Sequence, residues 1–230
     1  MNSGYVSSLP VSQVDAETRS TFITRTYLHL LGAILAFVAI EVFLFQSGLA
    51  EGIARTMFNF SWLLILGLFM LVGWLATHLA SNTSSKAAQY GGLALYVVIE
   101  ALIFVPLLYL AMSYEPRVIN SAAQVTLLGF GALTVVAFMT RKDFSFLRGI
   151  LFWGFILAIV AIVAASLFGF HLGTFFSIAM VGLAGAAILY DTSNVIHHYP
   201  EDRYVGAALQ LFASVALMFW YVLSLFMSRD

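Results

Sequence analysis

Three carboxyl groups stand in stretches of sequence that otherwise hold almost no charge: Glu41, Glu100 and Asp191. An ionisable side chain among apolar residues is costly to bury, so it marks a place where a proton or cation is handled or where helices are tied together. Asp191 lies in the run Ile188-Leu189-Tyr190-Asp191-Thr192-Ser193-Asn194. At helical spacing, Asn194 and His198 share its face, and Ala187 and Ala184 lie one and two turns below it. Small residues there let a second helix approach closely. The chemistry that fits is binding of a proton or small cation at the mouth of a buried cavity. The plainer alternative is an acid that closes a helix at the membrane surface.

Glu100 sits mid-segment, with Tyr96 one turn before it and Phe104 one turn after. Pro106 follows and must free a backbone carbonyl of its helix. A carboxyl at that depth has to be neutral or paired. It is either hydrogen-bonded to a neighbouring helix or lines the same cavity as Asp191. Glu41 stands near the end of the first apolar segment, from which it can snorkel to the interface. The last apolar segment carries Gln210, Ser214, Tyr221 and Ser224. Gln210 and Ser214 share a face at i, i+4 and Tyr221 extends it, which points to a central helix. Interhelical hydrogen bonds alone also explain such a stripe.

Other chemistry is excluded or weak. The chain has no cysteine, so disulfides, thiolate metal sites and cysteine nucleophiles are ruled out. His197 and His198 are adjacent, and their side chains diverge too far for a metal pair. His78, at the end of the second apolar segment, is expected at the interface. No H-E-x-x-H, phosphate loop or nucleophile elbow occurs. Enzymatic activity is therefore not expected, nor a resident cofactor.

The elements that position these residues follow from hydropathy. Of 230 residues, 62% are hydrophobic and only 9% are charged. Soluble domains run near 45–50% apolar and about 25% charged. A mean hydropathy of +0.97 makes hydrocarbon the solvent for most of the chain. The net charge of −1 offers no basic surface for nucleic acid. Apolar runs of about 18–25 residues predict seven membrane-spanning helices, near 27–45, 60–79, 88–112, 122–139, 147–168, 172–194 and 205–227. Gly169, His171 and Gly173 alone punctuate the fifth and sixth, so a tight turn is expected there. A six-span reading makes one of the two re-entrant. The first run starts late and exceeds the roughly 7–15 residues of a signal-peptide core, so an uncleaved first helix is expected.

Lys and Arg set the orientation. With the N-terminus in the cytoplasm, the inner ends carry Arg19, Arg25, Lys86, Arg141, Lys142, Arg148 and Arg203, and the outer ends only Arg55, Arg117 and Arg229. The expected organisation is a polar cytoplasmic segment, 1–24, followed by one seven-helix transmembrane domain, 25–230. The fold class is all-α.

Three segments resemble the Bax-inhibitor-type family, whose members carry the transmembrane Bax inhibitor motif. Phe138-Met139-Thr140-Arg141-Lys142-Asp143-Phe144-Ser145-Phe146-Leu147 is similar to its short basic loop between the fourth and fifth helices. Leu189-Tyr190-Asp191-Thr192-Ser193-Asn194 matches its Tyr-Asp element, and Ala208-Leu209-Gln210-Leu211-Phe212 looks like the start of its last helix. The resemblance implies six helices surrounding the seventh, in a divergent bacterial-type member of an inner membrane. It also implies a pH-sensitive calcium leak, in which aspartates on the sixth and seventh helices share a proton. Asp191 matches the first. The second is absent: Leu211-Phe212-Ala213 is followed by Ser214, which adds no like charge. An arginine that in relatives latches the aspartate is also missing from Ala76-Thr77-His78-Leu79. The expected ion-binding set is Asp191, Glu100, Ser214, Gln210 and Asn194, with weak Ca²⁺ binding at Asp191. The rival expectation is a non-conducting regulator that binds other membrane proteins, such as a protease or a stress-response partner. A proton-coupled transporter is the third.

Overall fold

The computed structural model describes residues 9–82 and 85–228, with the side chain of Asn82 also left aside. Arg229, counted above, therefore lies outside the described residues, as do the first eight residues of the polar segment. Eight helices are found among those described: α1 Ala16–Gln46, α2 Leu49–Asn59, α3 Trp62–Asn82, α4 Lys86–Tyr114, α5 Arg117–Thr140, α6 Leu147–Phe168, α7 Gly173–His197 and α8 Tyr204–Met227. All but α2 are long and apolar enough to cross a bilayer. The chain is an all-α, polytopic membrane protein.

Why the helices begin and end where they do is mostly local. Asp15 starts α1 by accepting the amides of Glu17 and Thr18, which satisfies donors that the first turn leaves orphaned. The helix thus begins eleven residues before the apolar run that predicts it (27 − 16). The turn between α6 and α7 uses Gly169 and Gly173, both at positive φ (73° and 67°), where a side chain would be strained. It separates two full helices, and neither is re-entrant.

α2 was not expected. Ala50 and Ala54 bury one of its faces, while Glu51 and Arg55 pair at 2.5 Å on the exposed side. At 1.5 Å per residue it is only about 16 Å long, too short to cross a bilayer. It packs on α1 and α4.

α8 is central. It contacts α1, α3, α4, α5 and α7, and Val205, Ala207, Ala208, Leu209, Leu211 and Leu223 on it are fully buried. Lipid is as apolar as leucine, so close packing rather than water exclusion holds these helices. The tightest crossing joins α3, α4 and α8. A Cβ on Gly92 of α4 would stand 2.6 Å from the carbonyl oxygen of Ala76, and one on Gly206 of α8 2.9 Å from that of Ala80. α6 sits at the edge, against α7 and α3.

The segment before α1 is tied down. Val11 is fully buried and its amide donates to the carbonyl of Tyr199 at 2.8 Å. Pro10 and Pro200 form an isolated antiparallel bridge. Arg19 holds the strap by donating to the carbonyls of Val11 and Ser12.

Candidate functional site

α7 and α8 bring Asp191 and Ser214 together. The Ser214 hydroxyl donates to Oδ2 of Asp191 at 2.5 Å, and both side chains are buried. A carboxylate accepts and a hydroxyl donates, so this single bond ties the two helices at a polar point. α4 carries Glu100, also buried, whose Oε2 has no hydrogen-bond partner among the described residues. An orphaned buried oxygen of this kind is expensive and calls for a functional account.

Asp191 and Glu100 line one cavity of about 360 Å³, together with Tyr96, Tyr190, Gln210 and Ser214. Phe69 of α3 and Leu217 of α8 complete the wall toward a second, larger cavity of about 550 Å³. Glu100, Phe69 and Leu217 line both, so they form the partition between them. The larger cavity is walled by the first turns of α3, the α6–α7 turn with His171, and the last turns of α8 with Trp220 and Tyr221. Trp62 stacks on Trp220 at its edge, 6.2 Å between ring centres.

Four of the five candidates thus meet: Asp191, Glu100, Ser214 and Gln210 line one cavity. Asn194 does not line it; its carbonyl accepts the amides of His198 and Tyr199 and ends α7. Among the described residues no three His, Asp or Glu converge as metal ligands. His78 stacks on Trp74, and Glu41 is buried on α1 with neither carboxyl oxygen bonded among the described residues, rather than snorkelling. Phe69 and Leu217 carried no signal in sequence, since one apolar residue in an apolar helix resembles another.

On the opposite side of Asp191 the molecule is covered. The Ser193 hydroxyl accepts the amide of Phe144 at 2.9 Å, which fastens the α5–α6 loop to α7. His198 meets Asp143 of that loop at 3.0 Å. The Ser145 amide, and then His198, hold the Asp143 carboxyl below its usual range. Phe22 packs against Tyr199 beneath the Val11 strap. The cavity's wall is therefore shared with a second cavity on one side and faces a bonded layer on the other.

The sequence profile described as Inhibitor of apoptosis-promoting Bax1 matches residues 19–230. The Escherichia coli K12 protein named Modulator of FtsH protease YccA is 36% identical over 118 residues, 49% of this chain and 52% of that one. Bax inhibitor 1 of Oryza sativa is 27% identical over 146 residues, 61% of this chain and 59% of that one. A Campylobacter jejuni protein, Cj0236c, is 30% identical over 226 residues, 91% of this chain and 90% of that one. The chain spans about half the length of the first curated relatives it matches.

Proposed function

This chain belongs to the Bax inhibitor family, and on that premise we propose that it is a pH-sensitive cation leak, with calcium as its cargo and Asp191 as the titrating group. One observation carries the reading: acids from two helices, Asp191 and Glu100, both buried, line a single cavity that shares a wall with a second one. Glu100 supplies from α4 the second acid that the resemblance leads one to seek on α8. When Asp191 takes up a proton it gains an O–H donor and loses its charge, the bond from the Ser214 hydroxyl is no longer charge-assisted, and the α7–α8 seam repacks.

Calcium takes six to eight oxygen ligands, roughly, and prefers carboxylates among them. Asp191, Glu100, Gln210 and Ser214 offer some of these, so binding is weak, which suits passage rather than storage. By the same reading the protein resides in a bacterial inner membrane with its N-terminus in the cytoplasm, surrounded by lipid.

The test is calcium and proton flux through liposomes holding the full-length protein, across about pH 5 to 8. Wild type should conduct with a pH dependence that Asp191→Asn abolishes and Glu100→Gln weakens. Ser214→Asp should shift that dependence by adding a third acid. A leak seen only in Ser214→Asp would mean that this chain has lost conduction. Absence of flux in every variant would favour the second reading, a regulator of another membrane protein. That reading is supported by the similarity to a protein named as a protease modulator.

A further inference from the structure

At the ends where α1, α4 and α8 begin, two cavities adjoin that the Asp191 site does not use. One is polar, about 410 Å³, and is lined by Arg25, Lys86 and Tyr204 together with Glu17, Glu201 and Asp202, the last of which pairs with Arg203 at 3.5 Å. The other is an apolar groove of about 490 Å³ between α1 and α4. They meet at a chain of hydrogen bonds: His29 Nε2 to the Tyr90 hydroxyl at 2.9 Å, and Tyr90 to the Tyr204 hydroxyl at 3.4 Å. Arg25 stands one turn before His29 on α1, and Lys86 one turn before Tyr90 on α4, so polar pocket and groove follow one another along the same two helices, a track with the hydrogen-bonded His29, Tyr90 and Tyr204 at its middle.

The charges in the pocket are arranged for a dipolar ligand. The Arg25 guanidinium and the Lys86 ammonium both lie over the Tyr204 ring, at 5.5 and 4.2 Å. Neither makes an ion pair with a carboxylate; among the described residues those pairs are Glu51–Arg55, Asp143–His198 and Asp202–Arg203. Lys86 donates to the Asp202 carbonyl instead. Two cations without a carboxylate partner on one pocket fit a phosphate, while Glu17 and Glu201 on the same pocket fit an ammonium.

The groove is formed on α1 by Leu28, Gly32, Ala36 and Ile40, four apart, with Ala94 and Val98 facing from α4. Nothing lies within 4 Å of where a Cβ on Gly32 would stand. From residue 28 to residue 40 a helix rises about 18 Å, slightly more than half of a hydrocarbon core of roughly 30 Å. Its length is that of one acyl chain in one leaflet. A free phosphate would have no use for such a groove.

We propose that this track binds one glycerophospholipid with an ethanolamine headgroup, independently of whether the protein conducts. The phosphate sits between Arg25 and Lys86, the ammonium faces Glu17 and Glu201, and an acyl chain lies along Gly32 and Ala36. The experiment is native mass spectrometry of the full-length, delipidated protein, offered phosphatidylethanolamine, phosphatidylglycerol and phosphatidylcholine of identical chains. One ethanolamine lipid should be retained per protein. Arg25→Gln with Lys86→Gln should reduce retention by about tenfold, as expected for loss of charge-assisted bonds. Ala36→Phe, filling the groove, should reduce it similarly, whereas Leu128→Phe, on an exposed part of α5, should not. Glu17→Gln with Glu201→Gln should abolish the preference over the glycerol headgroup. Thermal unfolding checks that Ala36→Phe remains folded; Arg25 and Lys86 are exposed, so their variants test the headgroup alone. Equal retention in wild type and the Arg25/Lys86 variant, or tighter binding of phosphatidylglycerol by wild type, would overturn the proposal.

Discussion

At the scale of single residues, the molecule turns on how one carboxylate is satisfied. Oδ2 of Asp191 takes its hydrogen bond from Ser214 across a helix boundary. Replacing Ser214 with alanine removes that donor and leaves a buried charged or protonated group underbonded. A cost of about 1 to 3 kcal/mol is expected, read as a lower unfolding temperature in detergent. The cost should shrink in an Asp191→Asn background, because the pair is what is lost. Much of this site was legible beforehand. Asp191, Ser214 and Gln210 are polar exceptions in apolar helices, and such exceptions face inward because lipid offers them nothing. Glu100 was visible for the same reason, and a share in the Asp191 cavity was one of two places open to it. Its neighbours Tyr96 and Phe104 say what lies along α4, and only the packing of α4 on α8 says what lies opposite. Asn194 shares a helix face with Asp191, but it stands where α7 is closing its last turn and does not line the cavity.

At the scale of elements, packing depends on glycine where backbones nearly touch. Gly92 meets the α3 backbone and Gly206 meets Ala80 and Ser81, so a methyl group at either site must push a helix rather than a flexible side chain. Gly92→Ala and Gly206→Ala should each destabilise by about 1 to 3 kcal/mol. Gly91→Ala, next in sequence with open space around its Cβ position, should be neutral or gain up to about 1 kcal/mol from helix propensity. Thermal unfolding of the three variants decides it. These contacts could not be read from sequence, since an apolar helix in lipid does not reveal which face meets protein. α2 escaped for a different reason. Glu51, Gly52 and Arg55 interrupt its apolar run, and a search tuned to spans passes over a helix that lies against the bundle. Loop contacts carry their own pH signature. The Ser145 amide and His198 favour the ionised form of Asp143, so its contribution is fully present above 3.8, the ordinary value, and is lost only as pH falls through a point below it. Asp143→Asn should therefore leave the shape of any flux profile between about pH 5 and 8 unchanged. A shifted profile would assign the pH response to the loop and not to Asp191.

At the scale of the whole molecule, the question is which compartment the larger cavity faces. Sequence alone assigned sides by counting cations; the structure adds that the ends assigned to the inner side touch one another. Arg19 bonds the strap, the strap pairs with residues 199 and 200, Lys86 reaches Asp202, Arg25 lies over Tyr204, and Asp143 meets His198. All are at one end, and the cavity walled by the α6–α7 turn and the last turns of α8 is at the other. If positive charge is retained in the cytoplasm, that cavity opens outward, and Asp191 answers to the medium outside through the Glu100 partition. The absence of cysteine makes this directly measurable. Glu115→Cys, on the exposed turn before α5, should react with a membrane-impermeant maleimide in intact cells. Glu201→Cys, exposed on the turn before α8, should react only after the membrane is opened. The reverse pattern would turn the molecule over. The covered layer of strap and loops would then face outward, and the driving gradient for any cation reaching Glu100 would come from the cytoplasm.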